Sequence, residues 1–202
     1  MSGRLKVSRT PVREAMRRLL AEGLLVNDGG GARPRMAVAP VGPVDVVELY
    51  QAAGALEGIV ARRVAALSPG TRRELAAEMR RRDAAFRAAT KQRPLDFDAL
   101  FERHDAFHQA LRDACAGATI GVLFEMMRPR LDRYEWLYAP LIGPDFSATY
   151  DEHAAIVDAV RDGSAAVAER SVRENWFNGG DRLATVLADG TDATSLLVRR
   201  LR

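Results

Sequence analysis

The chain has 202 residues, nearly half of them apolar, with 30 basic and 27 acidic side chains and a net charge of +3. That length and balance exclude a disordered polyelectrolyte and suit one large domain or a large and a small one. Cys115 is the sole cysteine, which excludes an intramolecular disulfide, and no apolar run approaches the ~18 residues that span a bilayer. With no signal peptide visible at its start, the chain reads as cytoplasmic, with no membrane partner.

The charge is unevenly placed. Residues 1–35 hold eight basic side chains against three acidic, a net of +5, so the remainder sums to −2. A basic head on a near-neutral body points to a polyanion as partner. Within the head, the stretch VSRTPVREAMRRLLAEGLL (7–25) has helical period: Val12, Ala15, Met16, Leu19 and Leu20 form one stripe, and Arg13, Glu14, Arg17 and Arg18 oppose it. Thr10 is placed to cap this helix with Pro11 at its first position, and Gly23 to end it. A capped helix with a basic outer face can enter a major groove, where arginine reads guanine and backbone N–H groups hold phosphate. The glycine run at 29–31 and the extended-looking stretch after it suit a short hairpin or wing.

Two prolines and a glycine in AVAPVGPVD (37–45) break the chain into head and body. Beyond them, helical periodicity predicts helices over roughly 44–66, 70–90, 95–116, 118–138, 146–161 and 164–188, joined by short breaks. The expected fold is all-α, a partial winged helix-turn-helix followed by an antiparallel helical bundle. The division is 1–39 for the head, 40–44 for the linker, 45–190 for the body and 191–202 for a basic tail.

The three histidines are His104, His108 and His153. Around ALFERHDAFHQAL, the apolar Leu100, Phe101, Phe107 and Leu111 centre on His104, with His108 one turn on, so both point inward. His153 sits in the stripe of Phe146, Tyr150, Ile156, Val157 and Val160. Three inward imidazoles from two helices suit a divalent metal, zinc first, with nickel or another transition metal as alternatives. On the last helix Ser171, Asn175, Asn178, Gly179 and Arg182 share one face, suited to a cavity wall or to solvent.

The stretch 7–25 resembles the recognition-helix signature of the GntR family of bacterial transcription regulators. The body resembles the all-helical FCD effector domain of the FadR subfamily, through LYQAAGALEGIVARRVAAL (49–67), FHQAL (107–111) and EHAAIVDAVRDGS (152–164). The first resemblance implies that Arg9, Thr10 and Arg13 contact operator bases and phosphates. Arg17 and the Gly29–Gly31 wing, Gly30 and Gly31 included, would touch the backbone or minor groove. The second implies a metal held by one aspartate and three histidines, beside a carboxylate effector. Carried over, those positions are His104 (for the aspartate), His108, His153 and Asn175 (for the last histidine). Asp105 is a possible substitute ligand. Ala53 stands where relatives often place an effector-binding arginine, for which Arg130, Arg133 or Arg182 could compensate, with Asn178 nearby.

The implied function is a homodimeric, ligand-responsive regulator of a metabolic operon, binding a palindromic double-stranded operator and a small carboxylate. In the resembled family a helix and a half precede the point where this head begins, of which SGRLK (2–6) alone remains. At roughly 25 cal/mol per Å2 of lost apolar burial, such a head is expected to be poorly stable. The alternative is therefore a dimeric metal- and metabolite-binding protein without DNA binding. A remoter one is a zinc hydrolase, since HDAFH resembles HExxH with Asp105 in place of the glutamate.

Overall fold

The computed structural model describes residues 8–28, 35–142 and 145–188, with backbone alone over 137–142. The SGRLK segment, Gly30, Gly31 and the basic tail lie outside the described residues.

Helix α1 (Arg9–Ala21) starts from Ser8, not Thr10, so Pro11 falls at its third position. The first-turn N–H groups have no helical partner, so proline is tolerated there as well as at the first position. Gly23, at φ 71°, closes the helix: Leu24 N–H reaches Leu19 O at 2.9 Å and Gly23 N–H reaches Leu20 O at 3.1 Å. Strands β1 (Leu25–Asp28) and β2 (Arg35–Val38) then pair antiparallel, Leu25 opposite Val38.

The described body is built of helices joined by short connections. Helix α2 (Pro43–Arg62) runs into a short 3-10 turn (Arg63–Ala66) and is followed by α3 (Pro69–Ala89), α4 (Phe97–Cys115), α5 (Ala118–Ile142), α6 (Ser147–Asp162) and α7 (Ala165–Ala188). The expected helices match these spans to within a few residues. Pro43 and Pro69 occupy first-turn positions. Ser68 and Asp96 accept from Thr71 N and Ala99 N, both at 3.1 Å, and so cap α3 and α4. Among the described residues no helix is long and apolar enough to cross a membrane.

Helices α2 and α7 make the closest pair. A Cβ on Gly54 would stand 2.9 Å from Trp176 Cβ, and one on Gly180 would stand 2.8 Å from Tyr50 Cβ. Helix α3 packs on α4 and α6, which completes the bundle. Val46, Val60, Met79, Phe107, Leu111, Phe124, Leu131, Ile156, Val172 and Leu183 fill its core. A smaller cluster of Phe86, Ala89, Leu100 and Phe146 adjoins the histidines.

Candidate metal centre

His104 and His108 lie one turn apart on α4, and His153 comes from α6. One ring nitrogen from each lies within 4.8 Å of the others. The rings are packed by aromatic neighbours. Phe107 stacks on His153 at 3.8 Å between centroids, Phe86 lies 5.4 Å from His104, and Trp176 lies 5.2 Å from His108.

Two of the histidines are oriented by buried carboxylates. His108 Nδ1 is 3.0 Å from Glu57 Oε1, and His153 Nδ1 is 2.7 Å from Asp83 Oδ1. An ionised carboxylate accepts and cannot donate, so each Nδ1 carries a hydrogen and, in the neutral ring, Nε2 keeps the lone pair. Both Nε2 atoms are buried with no hydrogen-bond partner among the described residues. Burial would raise the Glu57 carboxyl, but His108, Arg112 and the Trp176 N–H (2.6 Å) together hold it below the ordinary range. Asp83 follows the same pattern, with His153 and Arg87 opposing burial. Burial drives His153 down to about 4, against the pull of Asp83, and drives His104 well down too, helped by the neighbouring imidazoles. These two rings are neutral at pH 7, the form that binds metal.

The donor set therefore fits a borderline ion: three imidazoles, two of them oriented through Nδ1 by outer carboxylates so that Nε2 faces the site as the ligating atom. Ligation at about 2.0–2.1 Å needs nitrogens about 3.4 Å apart, so ring movements of about an ångström are enough.

Asn175 lines the same cavity, but its Nδ2 donates to Glu152 Oε2 at 2.8 Å. Glu152 also holds Arg182 (2.9 and 3.1 Å) and Asn178 (2.9 Å). Of the four residues considered for an effector, Arg182 lines the cavity and Asn178 is exposed beside it. Arg130 and Arg133 do not belong there. They face the junction of head and body, where Arg130 pairs with Asp45 and Arg133 donates to Ala39 O. Helix α5 carries them on a different face from the one it turns to the cavity. Asp105 is likewise drawn away from the histidines, paired with Arg112 (2.6 Å) and with Arg128. Its step of 100° from His104 puts it outside the cavity lining. Ala53 is fully buried in the core.

Sequence reasoning missed Glu57, Asp83 and Glu135. Each interrupts an apolar stripe at helical spacing: Glu57 between Ala53 and Val60, Asp83 between Met79 and Phe86, Glu135 one turn after Leu131. The periodicity that placed the histidines inside would have placed these acids there too. In the head, Arg9, Thr10, Arg13 and Arg17 are all exposed on α1, which buries none of its residues among those described.

The described chain is thus a basic exposed helix with a two-stranded antiparallel sheet, joined to a helical bundle with a histidine-lined cavity. The FCD domain model matches residues 48–176. The chain therefore belongs to the FCD-domain branch of the GntR transcription regulators, a family of regulators and not of enzymes. It is 35% identical over 115 residues to an uncharacterized HTH-type transcriptional regulator in the TAR-I ttuE-ttuC' intergenic region of Agrobacterium vitis. The match covers 55% of this chain and 62% of that relative, so the chain spans less than two thirds of the relative's length. In fold it is similar to a GntR family member from Pseudomonas syringae pv. tomato (TM-score 0.55, 19% identity, 93% of this chain and 75% of that one). It is also similar to Lar, which controls the agr system of Listeria monocytogenes (TM-score 0.60, 13% identity, 91% and 83%).

Proposed function

We propose that this chain is a cytoplasmic, homodimeric, DNA-binding regulator that senses a small carboxylate at a divalent metal, zinc first, held by His104, His108 and His153. The observation that carries the metal is the pair of buried, unpartnered Nε2 atoms, each opposite an Nδ1 tied to a carboxylate. Three neutral imidazoles leave the charge of such an ion unbalanced among its ligands, which favours an anionic small molecule. Asn175 and Arg182 complete the wall beside it.

Helix α5 supports the regulatory half of the reading. Glu135 lines the cavity, while the preceding Tyr134 donates to Asp45 Oδ2 at 2.7 Å and accepts from Gly42 N at 3.2 Å in the linker. Arg130 also holds Asp45 and packs against Gly23 at the end of α1. A ligand that shifts α5 thus biases the seat of the head, and the coupling free energy between the sites sets the response. In a dimer, two heads would meet half-sites about 10 bp or a multiple apart.

Zinc content by mass spectrometry and a gel-shift titration against DNA flanking the chain's own gene test the two halves. One zinc per chain is expected, absent from His108→Ala; full zinc retention in that variant would move the site elsewhere. Arg13→Ala is expected to weaken DNA binding at unchanged zinc content, with a steep dependence on salt. One observation favours the second reading, a metal- and metabolite-binding dimer without DNA binding: α1 buries no side chain among the described residues. Full zinc content with no DNA bound would select it.

A further inference from the structure

The histidine cavity has aromatic and aliphatic walls, among them Tyr50, Phe86, Phe101 and Trp176, yet Glu135 stands in them at 4% exposure. Its Oε2 makes no hydrogen bond among the described residues, and Arg128 Nη2 is 3.7 Å away, beyond hydrogen-bond length. Arg128 is itself held by Asp105 and, at 2.6 Å, by Asp132. Asn175 and Arg182, which share the cavity wall, are by contrast engaged, both binding Glu152. Glu135 is thus a buried carboxyl whose hydrogen-bonding capacity the described protein leaves unfilled.

A buried carboxyl oxygen without a partner is unfavourable, and a ligand that supplies the partner recovers that free energy on binding. A carboxyl group can accept a hydrogen bond in either protonation state but can donate in only one. A ligand O–H or N–H therefore suits Glu135 whether or not it is ionised. The cavity volume of about 50 Å3 holds a few water-sized groups, which suits a small ligand.

We propose that Glu135 is the specificity-determining residue of this cavity and that its ligand is a small carboxylate carrying a hydroxyl or amino donor for Glu135. The carboxylate end rests on the metal reading above; the donor end rests on Glu135 alone.

The test uses the full chain, zinc-loaded and chelator-treated, titrated by NMR with acetate, glycolate and glycine. These probes share a carboxylate and differ in presenting no donor, an O–H or an N–H. Glycolate or glycine is expected to bind the wild type about tenfold more tightly than acetate. Glu135→Met is expected to abolish that preference. Glu135→Gln keeps an acceptor and is expected to retain the preference for glycolate while weakening that for the ammonium of glycine, which loses its charge-assisted partner. Methionine removes a buried carboxyl without a hydrogen bond at Oε2, and Arg128 keeps Asp105 and Asp132, so folding is expected to survive. If circular dichroism shows otherwise, the Gln variant decides alone. Equal binding of all three probes by the wild type, or a preference that survives both substitutions, overturns the inference. Absent zinc with the donor preference intact would sink the metal reading alone; full zinc without the preference would sink this one alone.

Discussion

Glu135 and His153 are buried ionisable groups whose contributions to stability run in opposite directions with pH. Burial raises Glu135 to about 7 from an ordinary 4.5, opposed by Arg128 and reinforced by Asp132 and Asp105. The folded chain thus holds this proton more tightly than the unfolded one. The contribution is full below about 4.5 and is lost as the pH rises through 7. Glu135→Gln is expected to gain on the wild type between pH 5 and pH 8, approaching about 3 kcal/mol at the upper end. Urea unfolding of chelator-treated protein at the two pH values measures this, and an equal difference at both would refute it. His153, depressed to about 4 from 6.5, stabilises above 6.5 and ceases to do so as the pH falls through 4. Glu57 acts through His108, whose tautomer it sets. Glu57→Gln is therefore expected to lower zinc affinity about 10- to 100-fold, read by competition with a chelating dye. Unchanged affinity would mean that His108 is not a ligand.

Among the helices, the contact between α2 and α7 is the tightest, and glycine permits it. Gly180 brings α7 against Tyr50, and Gly54 brings α2 against Trp176, whose indole N–H reaches Glu57. Close approach is thus part of what builds the inner end of the cavity. Alanine is a better helix former than glycine by about 1 kcal/mol, so Gly180→Ala would stabilise an open helix face. Here the added Cβ meets Tyr50 Cβ at 2.8 Å, and the expected outcome is a loss of about 1–3 kcal/mol. Thermal unfolding beside Gly70→Ala checks it, since the nearest atom to a Cβ at Gly70 is Ser68 Oγ at 3.7 Å. A Gly180→Ala protein as stable as the wild type would show that the two helices separate at little cost.

At the scale of the whole molecule, α5 ties the body to the linker and head through Asp45, which serves Tyr134 and Arg130 at once. Asp45→Ala removes the shared acceptor without touching the histidines. Its zinc content is expected to equal the wild type's, while limited proteolysis cuts the linker around 39–42 faster, as mass spectrometry of the fragments would show. Unaltered cleavage would mean that the junction is held by other contacts. Such a variant also asks whether a ligand in the body still changes DNA binding once the tie is cut.

The helical body was legible in the sequence because its stripes of apolar residues recur at 3.6 and its breaks carry proline or glycine. By the same rule the sequence alone determined that His104, His108 and His153 turn inward and that Arg13, Arg17 and Arg18 share the outer face of the first helix. Periodicity says which way a side chain faces along its own helix, and nothing about what arrives from another. That is why Arg130 and Arg133 were candidates for the cavity until α5 took its rotation and gave them to the linker. It is also why the partners of the histidines emerged from tertiary structure: Glu57 on α2 and Asp83 on α3 lie 51 and 70 residues from the rings they orient. Helix packing alone decided that pairing, and with it which nitrogen of each ring keeps its lone pair.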